Sequence, residues 1–198
     1  MKTENLILTP ESPSRRRFLL AGGALLLSPA AALAGAQREE TLADDVASVM
    51  RSSINNVNPP RLVFADPNEG ERWLAAMSSR LAHYVPDAAE RRRLLVNIQY
   101  ESSRAELNTQ VILGLIEVES AFRQYAISGV GARGLMQVMP ATARAMGYDP
   151  ADMFEPAIAI DAGTRYLGIQ LRTFGRVDLG LAAYNAGPRA VERYGGIP

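Results

Sequence analysis

Beyond residue 68 the apolar positions of the chain recur at helical spacing, and no stretch alternates apolar and polar long enough to argue a strand. Trp73, Leu74, Met77, Leu81 and Tyr84 follow one another at steps of one, three, four and three, which predicts a helix over 69–84. Pro86-Asp87 restarts the chain, and Asp87 with Glu90 three residues on resembles a capping box for a helix running to about residue 104. Asn108 or Thr109 caps the next helix, which carries Val111, Ile112, Leu115, Ile116 and Val118 on to Ser120. A glycine-rich loop spans 128–134, and Pro140 opens a short helix that ends near Gly147. Two more helices are predicted over 157–174 and 178–186, the second stopped by Gly187-Pro188. The pattern is that of an all-α protein.

The first third of the chain reads differently. Residues 14–34, SRRRFLLAGGALLLSPAAALA, run from a basic cluster through an apolar stretch to small residues, the order of a signal peptide. Ala32-Leu33-Ala34 and Ala34-Gly35-Ala36 both suit cleavage. Ser14-Arg15-Arg16-Arg17-Phe18-Leu19 resembles the twin-arginine export motif, so 1–34 is read as an export signal. Residues 35–68 read as a linker with one helix at 39–54, because Asn58-Pro59-Pro60 cannot continue a helix. Residues 69–105 then form helices that precede a catalytic domain over 106–198 and pack on it.

Composition narrows the chemistry. Of 21 basic and 21 acidic residues, four and two lie in 1–34, which leaves a net charge of −2 on the remainder. Nucleic-acid binding, which favours a basic face, is not expected. With no cysteine and only one histidine, His83, the chain can build neither a thiolate nor a histidine-based metal site, nor a Ser-His-Asp triad. Catalytic groups must therefore be sought among carboxylates, hydroxyls and amides; no metal or cofactor is implied.

One helix carries the strongest candidate. Residues 109–122, TQVILGLIEVESAF, are apolar nearly all round, so the helix should be buried. Glu119 lies beside Leu115, Ile116 and Phe122 at helical offsets, whereas Glu117 lies beside Leu113, Gly114 and Ala121. Glu119 is thus the carboxyl expected in apolar surroundings, where desolvation raises its pKa and keeps it protonated for acid catalysis. A glutamate merely paired with an arginine at a helix end is the competing reading.

Gly129, Gly131 and Gly134 spell G-x-G-x-x-G, but no strand precedes them, so a dinucleotide site does not fit. A tight turn that lets the backbone approach a ligand fits better. In AAYNAGP, Tyr184 can hydrogen-bond a carboxyl and Asn185 can bind a sugar amide or hydroxyl; a core tyrosine and a capping asparagine are the alternatives.

Three ordered blocks together resemble the soluble lytic transglycosylase family, whose catalytic domains share the goose-type lysozyme fold. They are Glu119-Ser120-Ala121-Phe122, then Gly134-Leu135-Met136-Gln137 with Met139-Pro140-Ala141-Thr142-Ala143, then Ala183-Tyr184-Asn185-Ala186-Gly187-Pro188. Tyr166-Leu167 and Phe174-Gly175 fall between the second and third. The resemblance implies an all-α, lysozyme-like (goose-type) domain that cleaves the β-1,4 bond between N-acetylmuramic acid and N-acetylglucosamine of peptidoglycan strands. It implies Glu119 as the acid and base, with Tyr184 positioning Glu119 or the sugar. It also implies Gln137 and Asn185 as groove contacts, and Met136 and Ser120 as supports of the substrate site. The sequence departs from the family pattern at Arg189, where glycine is common, and at Ala159, where asparagine is frequent. The family usually continues past the equivalent of Pro198 with an aromatic-rich segment and another helix, so the sequence reads as a fragment or a shortened variant.

Two other functions remain open at this point. A goose-type lysozyme would hydrolyse the same bond and would call for a second carboxylate among Asp149, Asp152, Glu155, Asp161 and Asp178. A non-catalytic glycan-binding assembly factor would dock to a larger envelope machine through the first half of the chain.

Overall fold

The computed structural model describes residues 60–198, so the export signal and the helix expected at 39–54 lie outside the described residues. Among the described residues the regular structure is helical, as the periodicity predicts. The order is α1 (Pro67–Leu81), α2 (Ala88–Arg104), α3 (Thr109–Ser120), α4 (Pro140–Ala145), a 3-10 helix (Pro150–Phe154), α5 (Pro156–Phe174), α6 (Val177–Ala186) and α7 (Pro188–Tyr194). Strand-like pairing among these residues is limited to two isolated antiparallel bridges, Ile127 with Arg133 and Arg133 with Val138, inside the loop between α3 and α4.

Helix starts follow their caps. The Asp66 side chain accepts from the Asn68 N–H, Asp87 from the Glu90 N–H at 2.6 Å, and Asn108 from the Gln110 N–H at 2.8 Å. Each satisfies a backbone donor that has no partner inside the first turn. Asp66 with Pro67 at the first position starts α1 two residues earlier than its apolar spacing indicates. Prolines also open the two elements that periodicity does not predict, the 3-10 helix at Pro150 and α7 at Pro188. The Gly187-Pro188 pair ends α6 and, through the fixed φ of proline, begins α7.

Residues 60–66, read from sequence as linker, are fastened to the helices. The Gln99 side chain accepts from the Val63 N–H at 2.7 Å and donates to the Val63 carbonyl at 2.8 Å. Phe64 packs on Trp73 with ring centroids 5.8 Å apart. These two reciprocal bonds join residues 36 positions apart, which local sequence pattern cannot reveal.

The core sits where α2, α3 and α5 meet. Leu95 and Ile98 of α2, Ile112 and Ile116 of α3, and Ile160 and Leu167 of α5 have no exposed surface. Side chains of this size each contribute about 1.5–3 kcal/mol on burial. Helix α5 packs on α2 and α6, and small residues set the spacing. A Cβ on Gly163 would lie 2.5 Å from the Met136 sulfur, and one on Gly180 would lie 2.6 Å from Leu171.

Candidate active site

Burial along α3 changes face residue by residue near its C-terminal end. Leu115 and Ile116 are buried, Glu117 and Val118 are exposed, and Glu119 and Ser120 are buried again. Glu119 is 2% exposed, and its Oε2 has no hydrogen-bond partner among the described residues. Burial alone pushes its pKa up to about 7. Glu117 points elsewhere: it accepts the Tyr84 hydroxyl proton at 2.7 Å, on a ring that packs against His83 at 3.8 Å. The two glutamates separate as the helical offsets predict.

The chain leaves α3 in strained backbone. Ala121 and Phe122 follow one another in the left-handed region, with φ of 49° and 60°. For residues carrying a Cβ this costs about 1–2 kcal/mol each. Gln137 is also left-handed, with φ of 48°. Non-glycine strain of this kind persists only where its surroundings overdetermine it, and it concentrates at functional sites.

The surroundings here are a closed set of backbone bonds. The Ala126 carbonyl accepts from the Gly134 N–H at 2.9 Å and from the Gln137 side-chain amide at 3.1 Å. The same amide donates to the Gly134 carbonyl at 2.9 Å. Gln137, 1% exposed, therefore spends its amide hydrogens on the loop, tying the exit of α3 to residues 134–137. The glycan contact expected of Gln137 is not made by free N–H groups.

Gly134 is required by packing within the chain itself. A Cβ there would sit 1.8 Å from the Met153 carbonyl oxygen, at φ of +73°. The close approach that demands glycine is to the chain's own 3-10 helix rather than to a ligand.

Tyr184, fully buried on α6, donates its hydroxyl proton to the Met136 carbonyl at 2.7 Å. Met136 is also fully buried, with its sulfur within 3.9 Å of the Thr164 hydroxyl. Tyr184, Met136 and Gln137 are thus brought together as one unit that holds the loop. Ser120 donates to the Ile116 carbonyl at 3.2 Å, and the Arg123 guanidinium donates to the Ser120 carbonyl at 2.9 Å. Asn185 is half-buried on the next position of α6.

A second buried carboxyl, which the sequence reading missed, lies between α2 and α5. Glu101, 9% exposed, accepts from Arg104 at 2.9 Å. Arg104 also reaches Asp161 at 3.8 Å, and Asp161 takes the Arg165 guanidinium and the Tyr148 hydroxyl, both at 2.5 Å. Burial, then the charge of Asp161, raises the Glu101 pKa, and Arg104 opposes both. No local pattern signals this network, because its members come from α2, α5 and the turn after α4.

Among the described residues no three His, Cys, Asp or Glu side chains are placed to hold a metal ion. None of the helices among the described residues is long and apolar enough to cross a membrane.

The described residues thus form a helical domain with one buried, unpartnered carboxyl at the end of α3 and a turn at 134–137 held by the Gln137 amide and the Tyr184 hydroxyl. The chain belongs to the transglycosylase SLT domain family, whose profile matches residues 96–197. It is 38% identical over 120 residues to the "Membrane-bound lytic murein transglycosylase C" of Glaesserella parasuis serovar 5 (strain SH0165), which covers 52% of this chain and 33% of that protein. It is 37% identical over 86 residues to the "Transglycosylase" of Enterobacteria phage PRD1, covering 43% of this chain and 32% of that protein. Among solved structures, the 70 kDa soluble lytic transglycosylase of Escherichia coli aligns with 26% identity and a TM-score of 0.48, over 62% of this chain and 23% of that one. The chain spans about a third of the length of these two curated relatives.

Proposed function

We propose that this chain is a peptidoglycan lytic transglycosylase with Glu119 as its acid and base. The observation that carries the reading is the Glu119 carboxyl, 2% exposed, with one oxygen unpartnered and a pKa pushed up to about 7. A carboxylic acid that keeps its proton near neutral pH can protonate the glycosidic oxygen as the bond to the muramoyl anomeric carbon breaks. The carboxylate so formed takes the proton from the C6 hydroxyl of the same muramoyl residue. The C6 oxygen bonds to the anomeric carbon and leaves a 1,6-anhydro end, with no water consumed. The substrate's own N-acetyl oxygen stabilises the cation meanwhile, an exception to the two-carboxylate scheme.

Of the five carboxylates that a hydrolytic lysozyme could draw on, three are committed elsewhere. Asp149 caps the 3-10 helix, Asp161 is held by Arg165 and Tyr148, and Asp178 pairs with Arg176 at 2.6 Å. This favours the non-hydrolytic route. In this reading Tyr184, Met136, Gln137 and Ser120 keep the loop and helix end in place, while Asn185 faces the glycan. The similarity to a membrane-bound murein transglycosylase and the signal-like residues 14–34 support an enzyme working in the cell envelope after export by the twin-arginine route.

The test is digestion of purified sacculi with separation of the products. Anhydro ends from the unaltered chain, lost in Glu119→Gln, are expected. Reducing ends would establish a lysozyme, and binding to sacculi with no released fragment would establish an assembly factor.

A further inference from the structure

Tyr84 stands in the turn that joins α1 to α2, and it meets the chain on either side of Glu119. Its hydroxyl donates to the Glu117 carboxylate at 2.7 Å, two positions before Glu119. Its ring packs on Phe122, three positions after Glu119, with centroids 5.2 Å apart. The His83 ring lies against the same tyrosine at 3.8 Å. The turn itself is fixed. The Tyr84 and Val85 N–H groups both donate to the Leu81 carbonyl, at 3.0 and 2.9 Å. Arg91 donates to the Val85 and Pro86 carbonyls at 2.7 and 2.6 Å and to the Ser78 hydroxyl at 3.1 Å. Val85 is buried in the core, so the turn cannot drift outward with its tyrosine.

The segment that Tyr84 grips is under strain. Ala121 and Phe122 leave α3 in left-handed backbone, which persists only where neighbours hold it. The Tyr84 ring is one such neighbour at Phe122. An exposed bond to a carboxylate adds little to stability, so the contact with Glu117 matters for where it holds the helix rather than for how strongly. Without these two contacts the last turn of α3, whose final carbonyls have no partner within the helix, is free to fray and to admit water to the Glu119 carboxyl.

We propose that Tyr84 is a positioning residue for the Glu119 acid. The hydroxyl fixes α3 just before Glu119, the ring fixes the strained corner just after it, and together they keep the carboxyl aimed and dry. The α1–α2 pair is thereby part of the active-site scaffold and not an appendage to it. Tyr84 acts through Glu119 and not on the substrate, so the inference rests on the reading of Glu119 as the acid and names what holds that acid in place. A tyrosine that merely docked α1 and α2 onto α3 would affect stability alone.

The experiment compares the full chain with three variants: Tyr84→Phe keeps the ring, Tyr84→Ala loses both contacts, and Glu117→Leu removes the acceptor. On soluble glycan strands, Tyr84→Phe and Glu117→Leu should each lower kcat about tenfold with KM unchanged, the scale of one hydrogen bond to a charged group. The double variant should lose no more than either single one, because both break the same bond. Glu117→Gln, which still accepts the hydroxyl, should recover most of that loss. Tyr84→Ala should lose about a hundredfold, as for a displaced reacting group. The second readout needs no substrate. The Glu119 carboxyl, labelled with carbon-13 and assigned through Glu119→Gln, should titrate near 7 in the unaltered chain. It should titrate lower in both Tyr84 variants, by about one unit in Tyr84→Ala, as water reaches it. Lower thermal midpoints with kcat and the Glu119 titration unchanged would make Tyr84 a docking contact only and overturn the proposal. Should Tyr84→Ala fail to fold, Tyr84→Phe and Glu117→Leu decide the matter by the same readouts. Absence of anhydro ends from the unaltered chain would overturn the transglycosylase reading, and the titration would still decide the role of Tyr84.

Discussion

Two carboxyls in this protein are buried to a similar degree and both have pKa values raised above the usual carboxylate range, yet their surroundings oppose each other. Glu101 accepts two bonds from Arg104 and shares its neighbourhood with Asp161, Arg165 and Tyr148. Glu119 has an apolar setting and an oxygen with no partner. A raised pKa therefore does not by itself mark an acid catalyst. In the Glu101 network the arginines answer each negative charge, so its carboxyls hold α2 against α5. At Glu119 nothing answers the charge, and the carboxyl keeps its proton because ionisation would leave a bare anion in low dielectric. The proposed role of Glu119, rather than Glu101, rests on this difference.

The largest effect should separate the two sites by activity. Glu119→Gln should lower cleavage of sacculi about a thousandfold with the far-ultraviolet circular dichroism unchanged, the scale at which a positioned acid contributes. Glu101→Gln should stay within a few-fold of the unaltered chain once stability is matched by temperature. Equal losses in the two variants would erase the distinction.

Stability should separate them in the opposite sense. Arg165→Ala leaves Asp161 without its close guanidinium partner and should cost about 3 kcal/mol, read from the urea midpoint. Glu119→Gln should stabilise the protein instead, and only at higher pH. The folded chain holds the Glu119 proton to about 7 whereas the unfolded chain releases it near 4.5. Stability of the unaltered protein thus falls as pH rises through that window and levels off above it. The shift corresponds to about 3 kcal/mol, so Glu119→Gln should gain up to that amount at pH 8 and almost nothing at pH 4. A gain independent of pH would mean that the carboxyl is not buried in solution.

Rates should follow the same proton. Because the acid form works, kcat/KM should decline above pH 7 by about tenfold per unit. A rate that climbs through this range would assign Glu119 a different role. The smallest effect belongs to the neighbouring glutamate. Glu117→Gln removes the charge from an exposed bond to Tyr84 and should leave the thermal midpoint almost unchanged.

Which residues could be read in advance follows from how far apart their partners lie. Each α-helix of the 69–186 region is legible from apolar spacing, from the caps Asp87 and Asn108 or from the opening Pro140, because these act within a few residues, whereas the 3-10 helix at 150–154 is not. The burial of Glu119 and the exposure of Glu117 follow equally from neighbours three and four positions away. Residues 188–194 escaped because a glycine-proline pair marks both a stop and a start, and the spacing beyond it is too short to argue.

The sequence by itself determined that the chain is helical, where most helices begin, and which of two adjacent glutamates turns inward, since helix geometry converts short offsets into a common face. Tertiary structure alone decided what each side chain spends its hydrogen bonds on. It committed the Gln137 amide to Ala126 and Gly134, set Gly134 against Met153, and closed Arg104 and Arg165 around Asp161. Those partners are far apart along the chain, and only packing brings them within bonding distance.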